Sequence, residues 1–175
     1  MQNLALKNWY WRFENAELSD PDLVVALSLS ICDACGLDYH DSRLQLLLGE
    51  MLSNAIDHGV LGLDSMIKNT VSGFDKYLSE RRERLSALSD EGASGWVSVS
   101  VDSLGDGKIQ IVVEDSGTGF STSAVNRSQS SEGFDCFGRG LKIIESLSSS
   151  MMHLGSGNCI VVEFDTIDRV VGVVS

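Results

Sequence analysis

The chain has 175 residues, 43% of them hydrophobic and 22% charged, and its 25 acidic side chains outweigh 13 basic ones for a net charge of −12. This is the composition of one ordinary globular domain, long enough to bury roughly 70% of its unfolded surface without metal or disulfide staples. It excludes a disordered chain, a collagen-like repeat and a disulfide-dense miniprotein. The acidic balance repels nucleic acid and anionic lipid at long range, but leaves room for a small anionic ligand held by backbone amides or through a cation.

No apolar run reaches the roughly 18 to 20 residues of a membrane span, and the N-terminus lacks the charged-then-apolar order of a signal peptide, so a cytoplasmic protein is expected. Four cysteines, Cys32, Cys35, Cys136 and Cys159, are scattered along the chain. Cys32 and Cys35 alone have metal or redox spacing. They close a helix and have no second pair to match, so they read as buried thiols.

Residues 8–18 are rich in aromatics and predict a first strand, in which Trp9, Tyr10 and Trp11 serve either strand packing or an interface. Asp20-Pro21 predicts the start of a helix over about 21–35, stopped by Gly36. Leu44, Leu47, Leu48, Met51, Leu52 and Ala55 carry the i, i+3, i+4, i+7 stripe of a second, core-facing helix over about 41–58. Residues 60–73 read as a connection. A third, more exposed helix over 74–88 follows, its Arg81-Arg-Glu-Arg84 cluster read as a solvated face. The alternation of 96–101, a turn at Gly105-Asp-Gly107 and the run 109–115 make a hairpin. Residues 121–137, polar and rich in serine, read as a mobile loop, and a helix over about 140–149 leads to strands near 150–155 and 158–165. This order predicts an α+β two-layer sandwich, a mixed, mostly antiparallel sheet with helices on one face. It is read as a single domain over 1–175 with an additional helical segment at about 60–93.

Three clusters exceed what packing alone requires. At about 100° per residue, Glu50, Asn54 and Asp57 fall on one face of the second helix, with His58 one step further round. The solvent side of an amphipathic helix would look the same. On the strand 109–115, Asp115 continues the face of Ile109, Ile111 and Val113, which aims a carboxylate toward the core and demands donors for it. The glycines of Asp115-Ser-Gly117-Thr-Gly119 allow a tight backbone and close approach of a ligand, although Asp-x-Gly is also a common turn. Finally, Gly138-Arg-Gly140 precedes a helix whose free N–H groups and dipole suit phosphate.

In this order and spacing, Glu50-x-x-x-Asn54-x-x-x-His58-Gly59, Asp115-x-Gly117-x-Gly119 and Gly138-x-Gly140 resemble the N, G1 and G2 boxes of the Bergerat-fold (GHKL) ATPases, the group of gyrase B, Hsp90, histidine kinases and MutL. The match spans 41–164. Asn54-Ala-Ile-Asp-His58-Gly59 and the short loop before Gly138-Arg-Gly140-Leu141 look most like the anti-sigma factor serine/threonine kinases of the RsbW and SpoIIAB type. The longer segment 60–93 is similar to the version fused to receiver and PP2C-type phosphatase modules. Histidine kinases usually carry Lys or Arg where Asp57 stands, and His40 lacks the acidic neighbour and helical context of a phosphoacceptor.

The resemblance implies ATP and Mg²⁺ as cofactors, with Asn54 ligating the metal and Glu50 as general base. Asp115 would accept a hydrogen bond from the adenine amino group, while Gly117 and Gly119 let the backbone approach the base. Gly138, Arg139 and Gly140 would hold the phosphates. Asp57, His58, Leu141 and Asn158, the last where the family often has Thr, complete the implied nucleotide-binding set. The implied activity is ATP-dependent protein-serine/threonine phosphorylation of a STAS-domain anti-sigma antagonist, with a sigma factor as the other partner and a homodimer as the expected assembly. No direct contact with nucleic acid or membrane is implied. The alternative is a catalytically weak nucleotide-sensing module that sequesters a regulatory protein.

Overall fold

The computed structural model describes residues 8–39, 41–64, 67, 73–88, 90, 94–119 and 139–166. His40, the serine-rich loop 121–137 with Cys136, and Gly138 lie outside the described residues.

Five strands, β1 (Asn8–Glu14), β2 (Trp96–Gly105), β3 (Lys108–Asp115), β4 (Ser150–Leu154) and β5 (Cys159–Asp165), form one sheet in the order β1-β2-β3-β5-β4. Every pairing among them is antiparallel, whereas the sequence suggested some parallel character. Two of the four pairings are hairpins, β2–β3 and β4–β5. In the first, Gly105, Asp106 and Gly107 all have positive φ, of 81°, 49° and 71°, which matches the twist of the flanking strands.

Among the described residues four α-helices accompany the sheet: α1 (Leu23–Cys35), α2 (Ser42–Ser53), α3 (Gly73–Ala87) and α4 (Arg139–Leu147). Alternation puts Val97, Val99 and Val101 of β2, Ile109, Ile111 and Val113 of β3, and Val162 and Phe164 of β5 into the core, where they meet Leu44, Leu47, Leu48, Met51 and Leu52 of α2. Trp9 and Trp11 pair with Val101 and Val99 on this inner face and pack half-buried against the core, while Tyr10 points out at 60% exposure. Strand packing thus accounts for both tryptophans.

Several boundaries differ from those the sequence suggests. The first strand stops at Glu14 because Asn15 turns to φ 46°, locked by a two-way hydrogen bond with Gly95, and a 3₁₀ turn over Asn15–Ser19 follows. The first helix begins at Leu23, after Asp20 Oδ1 accepts from the Asp22 N–H at 2.9 Å. Gly36 ends it as expected, at φ 67° with its N–H on the Cys32 carbonyl. Cys32 is buried and Cys35 half-buried, and burial pushes the Cys35 thiol up to about 11, the opposite of a reactive thiol.

The second helix is regular only as far as Ser53; Asn54–Val60 is a π-helical turn, closed by the Leu61 N–H on the Ile56 carbonyl at 2.8 Å. Among the described residues, no helix is long and apolar enough to cross a membrane. Ile111 is fully buried on the central strand, so Ile111→Ala is expected to cost about 3 kcal/mol; urea denaturation would show it as a lower midpoint at unchanged slope.

Candidate functional site

The π turn joins the parts of the site. Asn54 opens it, directly after the last residue of α2, and Glu50 lies one helical turn earlier, half-buried. α4 packs on α2 so closely that a Cβ on Gly140 would stand 2.6 Å from Glu50 Oε2 and 3.6 Å from Asn54 Oδ1. The first turn of α4, the positive end of its helix dipole, therefore faces Glu50 and Asn54. Arg139 is the exposed first residue of α4, and Leu141 packs half-buried against the core.

At the other end of the turn, Gly59 abuts the last residue of β3. A Cβ on Gly59 would overlap the Asp115 carboxylate, and one on Gly117 would overlap the Gly59 carbonyl. Gly119, at φ 78°, is pressed against Ser156 in the same way. These glycines are first of all required by the protein's own packing, a different reason from the ligand approach suggested by the sequence.

Asp115 is only 7% exposed. Its Oδ1 accepts from the Gly117 N–H at 2.8 Å, and among the described residues Oδ2 has no donor. Burial is the main cause that raises its carboxyl to about 6, against the lowering effect of the Gly117 N–H, with Glu114 adding repulsion. Asn158 holds the strand end in place: its Nδ2 donates to the Asp115 carbonyl at 3.1 Å, and its carbonyl accepts from the Asp115 N–H at 3.0 Å. Asn158 thus touches the backbone of Asp115, and Ser156 Oγ donates to its Oδ1 at 3.2 Å.

Two residues of the motif are placed elsewhere. The helical projection groups Asp57 with Glu50 and Asn54, but the smaller angular step of the π turn rotates it away. Both its oxygens are taken up by α3, where Tyr77 Oη and Arg81 Nε each donate at 2.7 Å. His58 Nδ1–H donates to the Leu63 carbonyl at 2.7 Å. The arginines of α3 are likewise not a plain solvated face, because Arg84 Nη1 donates to the Leu61 and Gly62 carbonyls at 2.7 and 2.9 Å.

The family described as Histidine kinase-, DNA gyrase B-, and HSP90-like ATPase matches residues 39–166. The chain belongs to this family. Comparison with the curated proteins gives no match. Membership supports ATP as the ligand of this ATPase domain, and the site accommodates it in three respects. The largely buried Asp115 keeps its Oδ2 for a donor such as an amino group. The start of α4 presents N–H groups to anions. Between them, Asn54 Nδ2 is buried and has no hydrogen-bond partner among the described residues, and turned over, the same amide presents its oxygen to that spot. Among the described residues no group of three or more His, Cys, Asp or Glu forms a metal cage. A Mg²⁺ ion bound here would take Asn54 as a protein ligand, an oxygen donor of the kind that this cation prefers.

Sequence reasoning passed over Ser156 and Tyr77 and took Arg81 for part of a solvated face. The Gly155-Ser-Gly157 turn gave no sign that it would meet Gly119. Tyr77 and Arg81, four apart on one helix face, were legible only as an amphipathic stripe.

Because the carboxyl of Asp115 is raised from an unfolded value near 3.9 to about 6, its contribution to stability is fully present below about pH 4 and lost as pH rises through about 6. Asp115→Asn is therefore expected to be more stable than wild type at pH 7.5, by on the order of 2 kcal/mol, with the gap closing below about pH 4. Thermal melts of the ligand-free proteins across that range check it.

Proposed function

We propose that the chain is an ATP-dependent protein-serine/threonine kinase of the anti-sigma factor type, which phosphorylates a STAS-domain anti-sigma antagonist and thereby controls partner switching with a sigma factor. The observation that carries this reading is the place of Glu50. It lies one turn before Asn54, faces the start of α4, and also lines an open groove of about 360 Å³ with Val24, Ser42, Gln45, Leu46 and Gly49 of α1 and α2. A carboxylate so placed touches the phosphate side of the site and is reachable by a hydroxyl presented from outside.

The chemistry needs positioning and charge neutralisation more than covalent help. The acceptor hydroxyl gives its proton to Glu50 as its oxygen bonds to the γ-phosphorus, and the bond from that phosphorus to the bridging oxygen breaks to release ADP. Mg²⁺, when bound, supplies neutralisation of the phosphate charge. The first N–H groups of α4, from Arg139 and Gly140, hold phosphate oxygens, Asn54 holds the metal, and Asp115 with its brace Asn158 orients the base.

Transfer of labelled γ-phosphate from ATP to a STAS-domain protein tests the reading. Wild type is expected to transfer, and Glu50→Ala to be slower by roughly 10²-fold or more with Mg-ATP binding retained. Equal transfer by both would sink the catalytic assignment. Tight partner binding with no transfer by wild type would move the chain to the nucleotide-sensing module that sequesters its partner.

A further inference from the structure

Asp57 takes no part in the chemistry above, yet at 3% exposure it is among the most buried polar side chains described. A carboxylate so deep needs donors. Its two close ones come from α3: Tyr77 Oη on Oδ2 and Arg81 Nε on Oδ1, each at 2.7 Å, with Ser53 Oγ further off at 3.5 Å. Tyr77 is itself buried, and that burial, reinforced by the Asp57 carboxylate, holds its hydroxyl proton on far above the usual tyrosine range. Arg84 continues the same stripe, at i+7 from Tyr77, and grips the Leu61 and Gly62 carbonyls just beyond the π turn.

The turn that α3 grips is the one that carries the site. Asn54 stands at its first position and Gly59 at its sixth, the latter seated against Asp115 and Gly117 with no room for a Cβ. π-Helical hydrogen bonding is uncommon and occurs mainly as single turns at functional sites. This turn has outside support at its middle and beyond its end.

We infer that Asp57, Tyr77 and Arg81 form a latch through which α3 holds the π turn in the register the nucleotide site requires, so that all three are positioning residues for ATP binding. The latch rests on the reading of Asn54 and Asp115 as nucleotide-site residues, and it gives the segment between α2 and β2 a role in the site. Coupling of this kind is reciprocal: nucleotide bound at the turn must strengthen the attachment of α3 by the same factor that the latch strengthens nucleotide binding.

The test compares the whole chain with Tyr77→Phe, Arg81→Gln and, as a control with the same loss of charge from an exposed position of α3, Arg82→Gln. Mg-ATP affinity is measured by calorimetry, and amide hydrogen exchange with and without Mg-ATP. Arg81→Gln is expected to weaken Mg-ATP by about tenfold, Tyr77→Phe by less, and Arg82→Gln by under twofold. Amides of 54–60 exchange faster in the two latch variants, and saturating Mg-ATP slows exchange across 73–87 in wild type.

A lower melting temperature with unchanged Mg-ATP affinity in both latch variants would make the contacts mere packing and overturn the latch. Equal weakening by Arg81→Gln and Arg82→Gln would reduce the effect to net charge and overturn it as well. Failure of wild type to bind Mg-ATP would remove the nucleotide reading itself. In that event the exchange at 54–60 still decides: faster in the latch variants upholds the mechanical hold, unchanged overturns it.

Discussion

The burial of Asp115 at the end of β3 is the constraint around which the site is organised. A carboxylate at 7% exposure is costly in water-poor surroundings, and the fold supports it from two distant stretches of chain. Asn158 clasps the Asp115 backbone through both its own backbone and its side chain. Gly59 and Gly117 close around the carboxylate so tightly that neither could carry a Cβ without overlap. Since Gly59 is near the end of the π turn that Asn54 begins, fixing the strand end also fixes the far end of that turn.

The helix that contains Glu50 and the turn after it thereby serve two directions at once. One side meets α4, where Gly140 leaves the space that Glu50 and Asn54 need, and Asn54 Nδ2, without a partner among the described residues, faces that region. The other side meets α3, where Asp57 is neutralised by Arg81 and hydrogen-bonded by Tyr77. Between the two, Ala55 and Ile56 pack into the core beside Met51 and Leu52. The widened turn is what lets polar residues three positions apart point to different partners. In a regular α-helix they would share one face.

Much of the architecture was legible along the chain. The leucine stripe of α2 predicts its buried face, the alternation in 96–101 and 109–115 predicts the hairpin, and Gly36 marks a helix end that the structure places there. Asp115 was legible as an inward carboxylate because period-2 alternation is a local property, and the strand keeps it to its last residue. The projection failed at Asp57 because it assumes a constant angular step, and the step changes at Asn54.

What the sequence by itself determined is therefore the set of elements, their inward faces and the three polar clusters that stand out from packing, since each depends on neighbours within a turn or two. Only the tertiary structure decided which clusters meet. It brought Gly140 against Glu50 and Asn54, Gly59 against Asp115, and Asn158 onto its backbone. It also assigned Asp57 to α3, 20 to 24 residues further along. Such meetings depend on how whole elements pack, and a side chain's partner across that distance is chosen by the shared core, which no local period records.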